Sequence, residues 1–507
     1  MATSDNKRIA KNTIYLYIRT FAVMLVSLYT SRLVLKCLGA SDLGIYNLVG
    51  GIVSLMAFLQ AAQTKSTSRF ITYELGSNSS KENLSRIYSI CMSIHMIASF
   101  VIFIIAETIG LWIINEYTSI PEERMLAANI VYQFSVLTFI VHFLRCPLDS
   151  VIIAHENMSV YAYMSIVEVI LQLGLVAGLL YYQGDSLILY GGMILVIAFI
   201  LLFSYLTYKN RVYPQYKFCF IWEKKKSIEI LSFSGWTLLG SSTNTLSQQG
   251  VSILFNNFVG LIANAALGFA TQVNTAVGRF VSSFTTAFNP QIIKLQANQD
   301  YAALYPLMNR ASKFSFALCY VMTLPLILNM DFILNLWLDD VPEYTVEFCQ
   351  LILICSTIDA TTSVLNTAIT ATGEIKKYQI GISCSFLLDF IFSLTLLKLH
   401  FHPAIVFGSR IITRGLINML IGLYYSRKLV SFPISLYMKK VVFPIIFTLL
   451  ITIPICSNIE FAGFIGVLIK VSISIILVLF CTFLIVMDKN ERLLISNLVR
   501  NKLNRKY

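Results

Sequence analysis

Apolar runs of helical length recur along the chain from Asn12 to Met487, each closed by a charged or turn-forming stretch. A helix needs about 20 such residues to cross the hydrocarbon of a bilayer. Divided at the polar breaks, the pattern predicts fourteen spans. They lie near 12–36, 44–68, 87–113, 125–146, 158–182, 186–208, 230–257, 264–290, 307–336, 346–372, 378–399, 403–425, 440–457 and 462–487. Most connections are short, with longer polar ones at 209–229 and 291–306. The opening MATSDNKRIAKN is basic and leads into apolar residues as a signal peptide does. The run continues past Leu35 with no small-x-small site, so it reads as a retained first span.

Composition makes the class plain. The chain is 57% hydrophobic and 13% charged, against about 45–50% and 25% in soluble domains. It is therefore expected to be an all-α integral membrane protein. Basic residues test the span count. With the N-terminus on the cytoplasmic side, the inside segments hold 29 of the 38 Lys and Arg, and the outside segments hold three: Lys36, Arg124 and Lys398. Fourteen spans with both ends on the inner side fit this asymmetry. The net charge of +12 then faces anionic lipid rather than nucleic acid. The expected plan is a six-helix bundle at 1–208, a linker at 209–229 and a second bundle at 230–428. An extra helix pair at 429–487 and a basic tail at 488–507 follow, the tail suited to lying on the membrane surface. The ten cysteines are scattered, without a CxxC, and read as small buried hydrophobes. His400-x-His402 is too little for a metal site. No GxxxxGK[ST] occurs, so neither ATP nor any cofactor is expected.

The chain repeats itself. Asp149-Ser-Val-Ile-Ile-Ala154 and Tyr161 fall 217 residues before Asn366-Thr-Ala-Ile-Thr-Ala371 and Tyr378. Leu38-Gly39 with Gly44 is echoed by Val259-Gly260 with Gly268. An offset near 220 covers six helices. The halves are therefore parallel repeats about an axis along the membrane normal, an arrangement in which transporters place substrate between the halves.

Polar stripes interrupt four spans. At 100° per residue, Ser234, Thr237, Ser241, Thr245, Gln248, Ser252 and Asn256 share one face of the seventh. Gln272, Thr275, Arg279, Ser283 and Thr286 do so on the eighth. Asn47, Gly51, Ser54, Lys65, Ser68 and Arg69 line the second, and Asn12, Tyr15, Arg19 and Thr30 the first, with Arg32 rotated away. Ser and Thr alone could be helix glue. Gln, Asn, Lys and Arg are too costly against lipid for that. They predict a hydrated cavity, cationic and hence suited to an anion. Arg410 and Arg414, one turn apart, read first as a charge cluster holding the second bundle, with Asp359 and Asp389 as the nearest acids in sequence.

The stretches 27-SLYTSRLVLKCLGASDLGIYNLVGGIVSL-55 and 147-PLDSVIIAHENMSVYAYMSIVE-168 resemble the polysaccharide-biosynthesis flippases. These are the Wzx-type exporters of O-antigen and capsule repeat units, in the superfamily of the MATE exporters and the peptidoglycan-lipid flippases. The resemblance covers about residues 10–430. It implies two six-helix bundles around a cavity that opens alternately to each side, and a substrate of oligosaccharide on undecaprenyl diphosphate. Candidate substrate-binding residues are Arg19, Arg279, Lys65, Arg69, Arg32, Gln248, Gln272 and Asn47; candidates for ion coupling are Glu168, His142 and Asp359. A non-enzymatic flippase is expected, with membrane lipids and the polysaccharide polymerase and chain-length machinery as partners. The alternatives are a flippase for another lipid-linked precursor, such as that of peptidoglycan, and a MATE-type cation-coupled exporter. The second would require acids in the cavity, and the first, second, seventh and eighth spans contain no Asp or Glu. A polymerase or ligase would require a large external loop, which is not found here.

Overall fold

In the computed structural model, residues 2–493 are described except 55, 78, 119, 339, 460–462 and 490. The surface tail expected at 488–507 lies mostly outside the described residues. The described chain is helical throughout: α1 (Ala2–Ser54), α2 (Ala57–Gly76), α3 (Lys81–Ile105), α4 (Leu111–Tyr117), α5 (Glu122–Ala154), α6 (Met158–Leu179), α7 (Ser186–Val212), α8 (Lys224–Phe258) and α9 (Leu261–Ala297). There follow α10 (Tyr301–Leu328), α11 (Met330–Trp337), α12 (Thr345–Thr372), α13 (Lys376–Lys398), α14 (Pro403–Gly408), α15 (Ile417–Val430), α16 (Ile434–Tyr437), α17 (Phe443–Ser457) and α18 (Gly463–Cys481). Short π-helical turns join α3 to α4 and α14 to α15.

Eleven helices or helix runs among the described residues are long and apolar enough to cross a membrane. The three expected spans outside this set are the second, seventh and eighth, which carry the polar stripes. Their helices exist: α2, α8 and α9 run for 20, 35 and 37 residues. They are too polar to pass on hydropathy alone. The polar segment expected as a loop at 291–306 is mostly helix, because α9 continues to Ala297 and α10 begins at Tyr301. The linker shortens likewise to the residues between Val212 and Lys224. Apolarity marks where a helix meets lipid, whereas hydrogen bonding continues beyond that point.

The glycine echo has a backbone cause. Gly39 sits at a kink inside α1 with φ 73°, and Gly260, between α8 and α9, has φ 115°. A side chain is strained at such angles, so each repeat breaks its first helix from its second at a glycine.

The chain forms two compact units, residues 1–241 with 293–298, and 242–292 with 299–507. In the first, α1 packs on α6 and α5 on α7, around fully buried Val49, Ile114, Ala128, Val131 and Leu187. Arg124 ties three of these helices together, its guanidinium bridging Asp42 at 2.5 Å and Asp185 at 2.7 Å. Asp185 also caps α7, accepting from the Leu187 and Ile188 amides. In the second, α10 packs on α12 and α12 on α15, around Phe255, Ala263, Cys349, Leu353 and Val406. The C-terminal helices belong to this unit: Tyr320 Oη and Thr452 Oγ1 lie 2.7 Å apart, and Lys313, 1% exposed, meets Asp488 and Glu491 at 3.1 Å each.

Candidate functional site

In the first unit a closed charge network lies between α1, α5, α6 and α7. Arg145 reaches Asp149, one turn on, at 3.5 Å and Glu168 on α6 at 3.3 Å. Its guanidinium lies 5.3 Å from the ring centre of Tyr205. Arg19 stands over Tyr161 at 4.7 Å, in the field of Asp149, with its Nε buried and lacking a hydrogen-bond partner. His142, one turn before Arg145, feels both Arg145 and Glu168. Two guanidinium groups thus face two carboxylates, and the candidates Arg19, Glu168 and His142 belong to one cluster. Arg145 stands at the very end of the expected span 125–146 and belongs to no polar stripe there, so the sequence pattern does not single it out. The legible signal was its i,i+4 spacing to Asp149, since α5 runs on to Ala154.

Lys65 and Arg69 lie on α2. Arg69 is 6% exposed, its guanidinium near the rings of Phe70, Tyr73 and Phe233 at 4.6, 4.7 and 5.6 Å; Lys65 is half-buried. Asn47 and Arg32 are exposed on α1. On the stripe of α1, Asn12 donates to the Glu156 carbonyl at 3.0 Å. Glu156 itself, 5% exposed with φ 58°, pairs with Lys294 at 2.7 Å and Arg8 at 3.4 Å. Beside it, His155 stacks on Tyr213 and lies 3.0 Å from Tyr216 Oη. Burial, with Lys294 and Arg8 close by, pushes the imidazole down to about 4.

The second unit encloses a polar cavity of about 710 Å³, lined by α8, α9, α12, α13 and the α14–α15 helix. Beneath it Asp389, fully buried, binds both arginines: Arg410 Nε at 3.3 Å and Arg414 Nε at 2.8 Å. Thr413 Oγ1 donates to the other carboxylate oxygen at 2.9 Å. Arg414 also donates to Asn244 at 2.8 Å and Ser247 at 3.1 Å. Of the two expected acids, Asp389 is therefore the partner, and Asp359 lines the cavity instead. Gln248 lines it too, donating to Asn244 at 3.3 Å. Gln272 and Arg279 are exposed on α9, and among the described residues Arg279 has no carboxylate within ion-pair distance. No group of three metal-binding side chains occurs among the described residues; His402 instead caps α14, accepting from the Ala404 amide at 3.4 Å.

The architecture is similar to that of solved MATE transporters. One, a MATE in complex with MaD3S, superposes with a TM-score of 0.73 at 12% identity, covering 84% of this chain and 96% of that one. An outward-facing multidrug resistance MATE family transporter of the MOP superfamily gives 0.70 at 13%, with the same coverage. A mutant of the Vibrio cholerae MATE transporter VcmN gives 0.64 at 15%, covering 86% of this chain and all of that one. At these identities the likeness is one of fold. No curated protein matches the chain in sequence. The model of the polysaccharide biosynthesis protein family matches residues 9–296, which contain both stretches that carry the resemblance and the charged cluster of the first unit. On that match and on the transporter fold, this chain belongs to the polysaccharide biosynthesis protein family, the family of the Wzx-type flippases.

Proposed function

We propose that this protein moves oligosaccharide repeat units, linked to undecaprenyl diphosphate, outward across the bacterial inner membrane for surface polysaccharide assembly. In this reading both termini are cytoplasmic, and the polymerase and chain-length machinery take over on the far side. A sugar headgroup cannot cross hydrocarbon without leaving its hydroxyls unsatisfied, so it needs a hydrated path. The diphosphate is anionic, and a guanidinium matches its oxygens with a planar fork of donors.

The observation that carries this reading is Arg279. It is exposed on a helix that also presents Gln272 and Thr275, and no carboxylate among the described residues neutralises it. A cation in that condition on a membrane helix calls for water or an anionic ligand. Lys65 and Arg69 suit loading, and Arg19 of the other repeat, whose buried Nε lacks a hydrogen-bond partner within its cluster, is the second candidate contact. A cation-coupled exporter is favoured by the shared fold and by Asp359 in the cavity lining of the second unit, and the acid-free stripes of the four spans weigh against it.

Arg279→Ala is expected to abolish surface polysaccharide in cells that depend on this protein, with its membrane level near normal. Arg279→Lys should restore part of the activity, because it keeps the charge but loses the fork. Full polysaccharide in both Arg279→Ala and Arg19→Ala cells overturns the assignment.

A further inference from the structure

The two repeats fill their own interiors differently. In the first unit, Arg145, Glu168 and Tyr205 occupy the interior and close the charge network. At the repeat offset of 217 their counterparts are Thr362, Ser385 and Gly422. All three are much smaller, and Thr362 and Gly422 line the cavity of the second unit. His142, Asp149 and Tyr161 correspond to Asp359, Asn366 and Tyr378, which also line it. At corresponding positions the same architecture thus holds an ion cluster beside a smaller cavity of about 310 Å³ in one repeat and the larger cavity in the other. Two of the three reductions, at Thr362 and Gly422, stand in the cavity wall.

The lining specifies what fits. Arg410 and Arg414 against Asp389 and Asp359 leave no net formal charge, so neither a diphosphate nor a cation is favoured. The carbonyl oxygens of Asn244, Asn264, Asn274 and Asn418 already accept from protein donors, which leaves their amide NH2 groups to donate. Asn366 Oδ1 is buried without a hydrogen-bond partner, and the Asp359 carboxylate supplies acceptors. Tyr378, Phe386 and Phe407 add aromatic faces. Donors, acceptors and aromatic faces without net charge match a neutral polyhydroxylated ligand. A volume of about 710 Å³ falls within the roughly 300–1,000 Å³ of ligand pockets, room for a short oligosaccharide.

We infer that the cavity of the second unit is a sugar-recognition site, which selects the carbohydrate of the headgroup separately from the cations that hold its diphosphate. The assignment rests on the flippase reading and adds to it where the choice of sugar is made. Thr362→Trp, at the position of Arg145 in the other repeat, fills the cavity. Reconstituted in vesicles, this variant and the wild type are compared on two lipids: the full repeat-unit lipid extracted from the source cells, and undecaprenyl diphosphate bearing one N-acetylhexosamine. The preference for the full unit is expected to fall at least tenfold in Thr362→Trp. An unchanged preference overturns the sugar site and leaves the flippase reading standing. Wild-type protein that flips neither lipid overturns the flippase reading, and a binding measurement then decides the cavity alone. For that, Phe386→Trp places a fluorophore in the cavity of the full-length protein. Its emission should respond to the oligosaccharide released from the lipid and not to inorganic pyrophosphate. A response to pyrophosphate only, or to neither, overturns the proposal even if Thr362→Trp fails to fold.

Discussion

Asp389 answers two guanidinium groups with one carboxylate while fully shielded from solvent. Removing its charge leaves Arg410 and Arg414 facing each other without their ion-pair partner. Breaking a buried pair this way costs about 3–5 kcal/mol. Asp389→Asn is therefore expected to lower folded yield and thermal stability sharply, as measured by size-exclusion recovery and a melting curve of purified protein. Normal recovery with transport lost would instead make the cluster part of the transport machinery. Asp359, which lines the cavity, should tolerate Asn without loss of yield. The two acids are 30 residues apart in sequence, and their surroundings in the fold separate their roles.

At the scale of elements, the α5–α6 junction gathers Arg8 and Asn12 of α1, Lys294 of α9 and the tyrosines that follow α7 onto His155 and Glu156. The folded imidazole titrates at about 4, depressed by burial and by the neighbouring cations, against about 6.5 when the chain is unfolded. Between those values the unfolded state binds the extra proton, so stability falls as pH drops through that window. The junction should be fully formed above about pH 6.5 and loosen progressively towards pH 4. Hydrogen exchange at residues 153–158 against pH checks this, and His155→Gln should flatten the dependence there. A pH profile identical in wild type and variant would remove His155 as the cause. The long, mixed-polarity α8 and α9 teach a related lesson about elements. Their helices persist across segments that hydropathy alone reads as loop or as too polar to span, because backbone hydrogen bonds form wherever the chain allows them.

For the whole molecule, moving about two negative charges outward with the cell interior negative is downhill by about 4–5 kcal/mol per 100 mV if both cross the full field. Flipping in vesicles should therefore slow when the membrane potential is collapsed. If only loss of the pH gradient stops it, an obligatory proton site exists, and Glu168, His142 and Asp359 are the residues to neutralise in finding it. Much of this molecule was legible along the chain. The apolar runs fixed an all-helical membrane protein, because burial in lipid permits little else. The offset near 220 revealed the repeat, and Gly39 and Gly260 marked the same break in both halves because both need a positive φ. Other features were decided only by tertiary structure. Arg145 became an interior residue once α5 extended past the apolar run. Arg19, legible as a lone cation on a stripe, was drawn into a neutral network by residues more than 120 positions away. Asp389 rather than Asp359 took the arginines, and a cavity opened where Thr362 and Gly422 stand in for Arg145 and Tyr205. Periodicity is a property of one helix and can be read from it. Ion pairing and empty volume depend on which side chains meet from several helices, and no single stretch of sequence contains that information.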